Sequence, residues 1–182
     1  EAETPYFLQV TNAAATGTQY VDIKTPITST SANTIGISTT TVETYFEWNT
    51  TANAWNIKDD AGTYLAVSRW DANPGQATAG NWQLFVNDDN TLSIFQGDYD
   101  GASDNSRCFL GGDVTTNASV TKLYTDNAKD KAINVTLIDA NAVPVTVNYT
   151  FTWNGVEKGT QTTETFGGEL YPDVDFALPF GV

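Results

Sequence analysis

Trp55-Asn-Ile-Lys-Asp-Asp-Ala-Gly-Thr-Tyr-Leu-Ala-Val67, continued by Asn81-Trp-Gln-Leu-Phe-Val86, is the stretch that decides the fold. Apolar and polar residues alternate through Trp55–Lys58, Thr63–Val67 and Trp82–Val86, the period-two pattern of half-buried strands. An Asp-Asp-Ala-Gly turn separates the first two strands, and Asn73-Pro-Gly75 interrupts the path to the third. Trp55 and Trp82 lie on alternating strands and are expected in the core, where a tryptophan buries a large apolar area.

The same succession recurs on either side. Upstream it reads Tyr6–Val10, Gln19–Ile23 and Tyr45–Trp48; downstream, Leu92–Phe95, Arg107–Leu110 and Lys122–Thr125, with Ala132–Ile138 behind. Leu8, Ile57 and Ile94 occupy equivalent positions, 49 and 37 residues apart, and Val21, Leu65 and Leu110 form a second set. Three copies of an all-β unit of about 40 residues predict a β-trefoil over residues 1–140; a propeller needs more chain. A β-sandwich also accommodates short strands at this spacing.

The second copy resembles a ricin-type β-trefoil lectin repeat: apolar strand, Asp/Gly turn, Tyr-Leu strand, then a Trp strand and an Asp-Asn-Thr turn. Asn81-Trp82-Gln83 replaces the family's Gln-x-Trp, and its disulfides are absent, so the chain is closer to divergent trefoil-like modules of secreted Bacteroidota-like proteins. The resemblance implies carbohydrate binding: Asp60 matches the acid in the turn after the first strand, Trp70 the stacking aromatic, and Asn81 the polar partner. Asp71 and Asn73 flank Trp70 in a polar loop and complete the expected sugar site. Asp60-Ala61-Gly62 is also a good turn without any ligand.

A second constellation is Gln96-Gly-Asp-Tyr-Asp-Gly-Ala-Ser-Asp-Asn-Ser106. Tyr99, flanked by acids, offers another stacking ring. Asp98, Asp100 and Asp104 could converge on Ca²⁺, which takes six to eight oxygen ligands, although the spacing is not that of an EF-hand. The alternative is an acidic surface loop.

After residue 140 the pattern changes. Val143–Trp153 alternates as one long strand, Asn154-Gly155 is a type I′ turn signal, and Val156–Thr165 returns as its partner. With the Gly167–Pro172 stretch that follows, residues 141–182 resemble the opening of a MucBP-like, β-grasp-type repeat. A lone hairpin is marginal in water, so either it packs against the trefoil or the chain continues past Val182; the apolar ending Leu178–Val182 favours a second all-β domain in a longer parent chain.

Composition excludes several functions. The 182 residues carry 22 acids, 8 bases and a net charge of −14, which disfavours nucleic acid and anionic membranes. Without histidine there is no Ser-His-Asp or Cys-His nucleophile and no imidazole zinc site. The single cysteine, Cys108, has no internal disulfide partner and reads as a small core hydrophobe. No apolar run approaches the roughly 18 residues of a membrane helix. The Asp59-Asp60 and Asp88-Asp89 pairs read as solvated turns rather than glycosidase acids. Four sequons, at Asn49, Asn117, Asn134 and Asn148, are about what chance provides in so Asn- and Thr-rich a chain. The sequence therefore predicts a secreted or surface-displayed, non-catalytic module that binds a glycan and needs no cofactor. The rival expectation is an architectural or adhesion segment that binds no sugar.

Overall fold

The computed structural model describes residues 4–28, 33–68, 71–96, 109–126, 128–142 and 144–166. They are all-β, and the chain divides into two compact units, Glu1–Ala140 and Asn141–Val182. The first unit holds β1 (Tyr6–Val10), β2 (Gln19–Thr28), β3 (Asn33–Ser38), β4 (Tyr45–Asn49), β5 (Ala54–Lys58) and β6 (Tyr64–Ser68). It continues with β7 (Asp71–Gln76), β8 (Trp82–Val86), β9 (Leu92–Gln96), β10 (Phe109–Gly111), β11 (Lys122–Asp126) and β12 (Asn134–Asp139). The second unit is the hairpin of β13 (Pro144–Trp153) and β14 (Val156–Phe166).

The strands of the first unit close on themselves. The pairs β1–β2, β2–β3, β3–β11, β11–β10, β10–β9, β9–β12 and β12–β1 make a seven-stranded barrel. A second path runs from β9 through β8, β5, β6 and β7 and rejoins at β11. β4 pairs with β5, and Thr44, just before it, exchanges both backbone hydrogen bonds with Tyr6 of β1 at 2.8 and 2.9 Å. Closure leaves few open edges, the usual hazard of an all-β chain.

Strand irregularities have chemical causes. Pro26 lacks an N–H, and the β2–β3 register shifts between Asp22 and Ile27. The Asp22 carboxylate compensates there, accepting from the backbone N–H groups of Lys24 and Thr25 at 2.9 and 2.8 Å. Every described non-glycine residue with positive φ is an asparagine: Asn53, Asn81, Asn90 and Asn154. Asparagine, whose short polar side chain can hydrogen-bond locally, tolerates the left-handed region better than most residues with a side chain, so it can end hairpins where glycine is missing.

The core is assembled from equivalent positions of the three segments. Leu8, Ile57 and Ile94 are at most 1% exposed, as are Val21, Leu65 and Leu110. Trp82 is wholly buried and its indole N–H donates to the Leu65 carbonyl at 2.9 Å. Asn12 pins the loop after β1, donating to the Ala132 carbonyl and accepting from the Asn134 N–H.

In the second unit β13 and β14 pair in register on both sides of a bulge at Phe151/Thr152. Asn154 and Gly155 both have positive φ, 50° and 76°, as a type I′ turn requires.

Candidate functional site

Strand alternation sends every second side chain into the barrel. On β1 the inward set is Tyr6, Leu8 and Val10; on β5 it is Trp55 and Ile57; on β8, Trp82, Leu84 and Val86. Leu8, Val10, Ile57 and Trp82 are buried, whereas Val86 is exposed and Tyr6, Trp55 and Leu84 are half-buried around an opening. There Tyr6, Phe46, Trp55, Leu84 and Leu137, with Thr4, line an open groove of about 320 Å³. The groove runs across β1, β4, β5, β8 and β12, walled by residues whose strand-mates form the core.

Its aromatic wall is continuous. The ring centroids of Tyr6 and Phe46 are 6.2 Å apart, of Phe46 and Trp55 6.3 Å, and of Trp55 and Trp48 5.0 Å, all edge-to-face. Such pairs fix ring orientation beyond what area burial alone provides. Trp48 ends the series 44% exposed, and Val86 on β8 is 64% exposed. Trp48 and Trp55 face one another directly across the β4–β5 pair. On the opposite face of β8, Phe85 takes the Lys129 ammonium 3.8 Å above its ring. Apart from the Thr4 hydroxyl and the Tyr6 phenol, the groove lining has no group that can exchange a proton or ligate a metal. It is suited to stacking and to apolar contact.

Trp55 thus departs from the sequence expectation: Trp82 is wholly buried, whereas Trp55 is only half-buried and belongs to the groove. Asp59 departs in the other direction. It is 5% exposed, because its carboxylate accepts from the Ala61 N–H, the Thr63 N–H and the Thr63 hydroxyl at 2.8–3.0 Å and so organises the turn after β5.

The expected sugar-site residues are dispersed. Asp60 is exposed and bonded to the Lys24 ammonium at 2.6 Å. That hydrogen bond, ahead of the accompanying charge attraction, holds its carboxyl below the ordinary 3.8 and raises Lys24 above 10.5. Asp60 lies past the far end of β5 from Trp55; the strand from Trp55 to Lys58 alone spans about 10 Å at about 3.3 Å per residue. Asn73 is half-buried on β7, with its backbone in register with Ala66. Asp71 opens the same strand, paired with Tyr124 of β11 and Ser68 of β6. Asn81 is the residue brought toward the groove strands. It is exposed, directly precedes Trp82, and accepts from the Asn49 carboxamide at 3.5 Å, next in chain to Trp48. Trp70, Tyr99, Asp98, Asp100, Asp104 and Cys108 lie outside the described residues. Among the described residues no three His, Cys, Asp or Glu side chains converge as metal ligands, and no helix is long and apolar enough to cross a membrane.

The groove residues Tyr6 and Phe46, and Trp48 packed edge-to-face on Trp55, are absent from the expected site. For Phe46 and Trp48 the sequence signal is Tyr45-Phe-Glu-Trp48, which puts two aromatics two residues apart on one face of β4.

No family model, curated protein or solved structure matches this chain.

Proposed function

We propose that the first unit is a β-trefoil and that it acts as a non-catalytic, extracellular glycan-binding module, with the aromatic groove as its binding surface. The trefoil reading draws support from threefold repetition. In each third of the unit the second and third strands pair as a hairpin (β2–β3, β6–β7, β10–β11), and β11 also pairs with β3 and β7. The first and fourth strands of the thirds pair with one another around a ring, β1–β12–β9–β8–β5–β4, joined to β1 through Thr44. The glycan reading rests on one observation: Trp48, 44% exposed, is fixed edge-to-face by Trp55 at the lip of an aromatic groove. A pyranose ring presents C–H groups to such a surface and gains without needing charge. The neighbouring carboxamides of Asn49 and Asn81 offer hydrogen bonds to hydroxyls. The net charge of −14 directs the choice toward neutral saccharides.

Titration of the protein with neutral oligosaccharides, followed by tryptophan fluorescence and calorimetry, tests this. Trp48→Ala is expected to weaken binding about tenfold, the equivalent of 1.4 kcal/mol, while Asp60→Asn leaves it unchanged. A glycan array with no response, or binding indifferent to Trp48→Ala, sinks the reading and leaves the architectural one.

A further inference from the structure

Of the four sequons, those at Asn49, Asn134 and Asn148 end in threonine and that at Asn117 in serine, and they differ sharply in the structure. Asn49 is half-buried with its carboxamide fully engaged: its Oδ1 accepts from the Thr51 and Ala52 N–H groups, and its Nδ2 donates to Asn81. Asn134 is half-buried on barrel strand β12. Its Oδ1 accepts from the Ser93 hydroxyl, and its backbone is in register with Ser93 of β9. A saccharide on either nitrogen would part strands that close the fold. Asn148 is exposed but held extended in β13 opposite Thr162.

Asn117 stands apart. It lies in the connection between β10 and β11, and Thr116, Asn117, Ala118 and Ser119 are all exposed. The backbone is tightly turned, the Asn117 N–H donating to Asp113 and the Val120 N–H to Asn117. Within the sequon, Asn117 Oδ1 accepts from the Ser119 hydroxyl at 2.7 Å and from the Ser119 N–H at 3.0 Å. The carboxamide is therefore bent over its own hydroxyl residue, and among the described residues its Nδ2 makes no hydrogen bond.

We propose that Asn117 is a modification site, the preferred acceptor of an N-linked glycan on this chain. The co-reactant is an oligosaccharide carried on a lipid diphosphate. Asn117 Nδ2 forms a bond to the anomeric carbon as the bond from that carbon to the diphosphate oxygen breaks. The lipid diphosphate leaves, and the amide proton passes to a base of the transferase. No residue of the groove lies on this connection, so a glycan there leaves the groove lining untouched. The assignment is independent of the glycan-binding reading and needs only a glycosylating secretory route, which the experiment supplies.

The full chain, secreted from yeast behind a cleavable leader, is digested with peptide N-glycosidase in heavy-oxygen water and mapped by peptide mass spectrometry. Labelled aspartate is expected at position 117 in most molecules. It should vanish in both Asn117→Gln and Ser119→Ala, while the circular dichroism of each variant matches the parent. Ser119→Ala keeps the asparagine and the backbone turn, so its effect isolates the sequon hydroxyl. An unmodified Asn117, or occupancy at Asn49, Asn134 or Asn148 exceeding that at Asn117, overturns the assignment.

Discussion

Trp82 and Gly80 offer a quantitative probe of how the barrel core is assembled. Leu65 falls in the register shift between Tyr64 and Ala66, where the β6–β7 ladder lapses, and the Trp82 indole N–H donates to its carbonyl at 2.9 Å. Gly80 stands against this bond: a β-carbon there would lie 2.6 Å from both the indole nitrogen and the Leu65 oxygen. Trp82→Phe removes the donor and leaves a buried carbonyl, at a cost of about 1–3 kcal/mol. The smaller ring leaves a void that adds about 1 kcal/mol. Gly80→Ala overpacks the same spot for about 1–3 kcal/mol. In the double variant the methyl no longer meets an indole nitrogen, so the combined cost should fall short of the sum by about 1 kcal/mol. At about 2–4 °C per kcal/mol for a chain of this size, Trp82→Phe should lower Tm by about 4–16 °C. Urea and thermal unfolding followed by circular dichroism give all four corners of the cycle without relying on the fluorophore being removed. A Trp82→Phe variant within about 0.5 kcal/mol of the parent, or strict additivity, would refute the packing argument.

Three further outcomes follow from the geometry. Leu8→Ala, Ile57→Ala and Ile94→Ala, at equivalent and fully buried positions, should each cost about 2–5 kcal/mol in urea unfolding; one neutral member would break the equivalence of the segments. Lys24→Gln should move the Asp60 titration, read by carboxyl NMR, up toward 3.8. With the parent's Asp60 below that value, the ion pair contributes at pH above 3.8 and is lost as pH falls through the folded value; Lys24, raised above 10.5, keeps its contribution below that pH and loses it as pH rises through its own folded value. A midpoint unmoved by the substitution contradicts this. Gly155→Ala, with open space around the new methyl but φ at 76°, should cost the hairpin about 1 kcal/mol from backbone strain alone, visible as weakened amide protection across β13–β14.

Much of the strand pattern was legible because its causes are local. Trp55-Asn-Ile-Lys58 alternates and forms β5; Asn154-Gly155 can adopt two positive φ angles in succession and turns the hairpin of the second unit. The equivalence of Leu8, Ile57 and Ile94 also survives, since identical parity in repeated strands sends all three inward. The β2 bulge was not legible, because it depends on Asp22 reaching two residues forward to serve the backbone around Pro26. Nor was the burial of Asp59. An acidic pair in a turn looks the same whether its first member faces water or accepts three hydrogen bonds from the loop it closes.

The candidate site was hidden for a related reason. Trp55 and Trp82 share the inward parity and sit opposite one another across β5–β8, yet one lines an open groove and the other is sealed. Parity tells which wall a side chain leaves from; it does not tell how far along the barrel axis that point lies. Axial depth is set by how the strands are staggered and by what closes each end, and both depend on pairings between residues far apart in sequence, such as β1 with β12. A chain with more inward aromatics than its core can enclose must leave some at an opening. Tyr6, Phe46 and Trp55 are left half-buried and Trp48 exposed, and that apolar surface is what makes the groove, rather than the acidic turns, the place to look for a ligand. The charge supports the same division: Asp60 is satisfied by Lys24, Asp59 by its own loop and Asp89 by Thr91. These carboxylates are occupied by partners within the fold, whereas Trp48, 44% exposed, stands at the open end of the aromatic series.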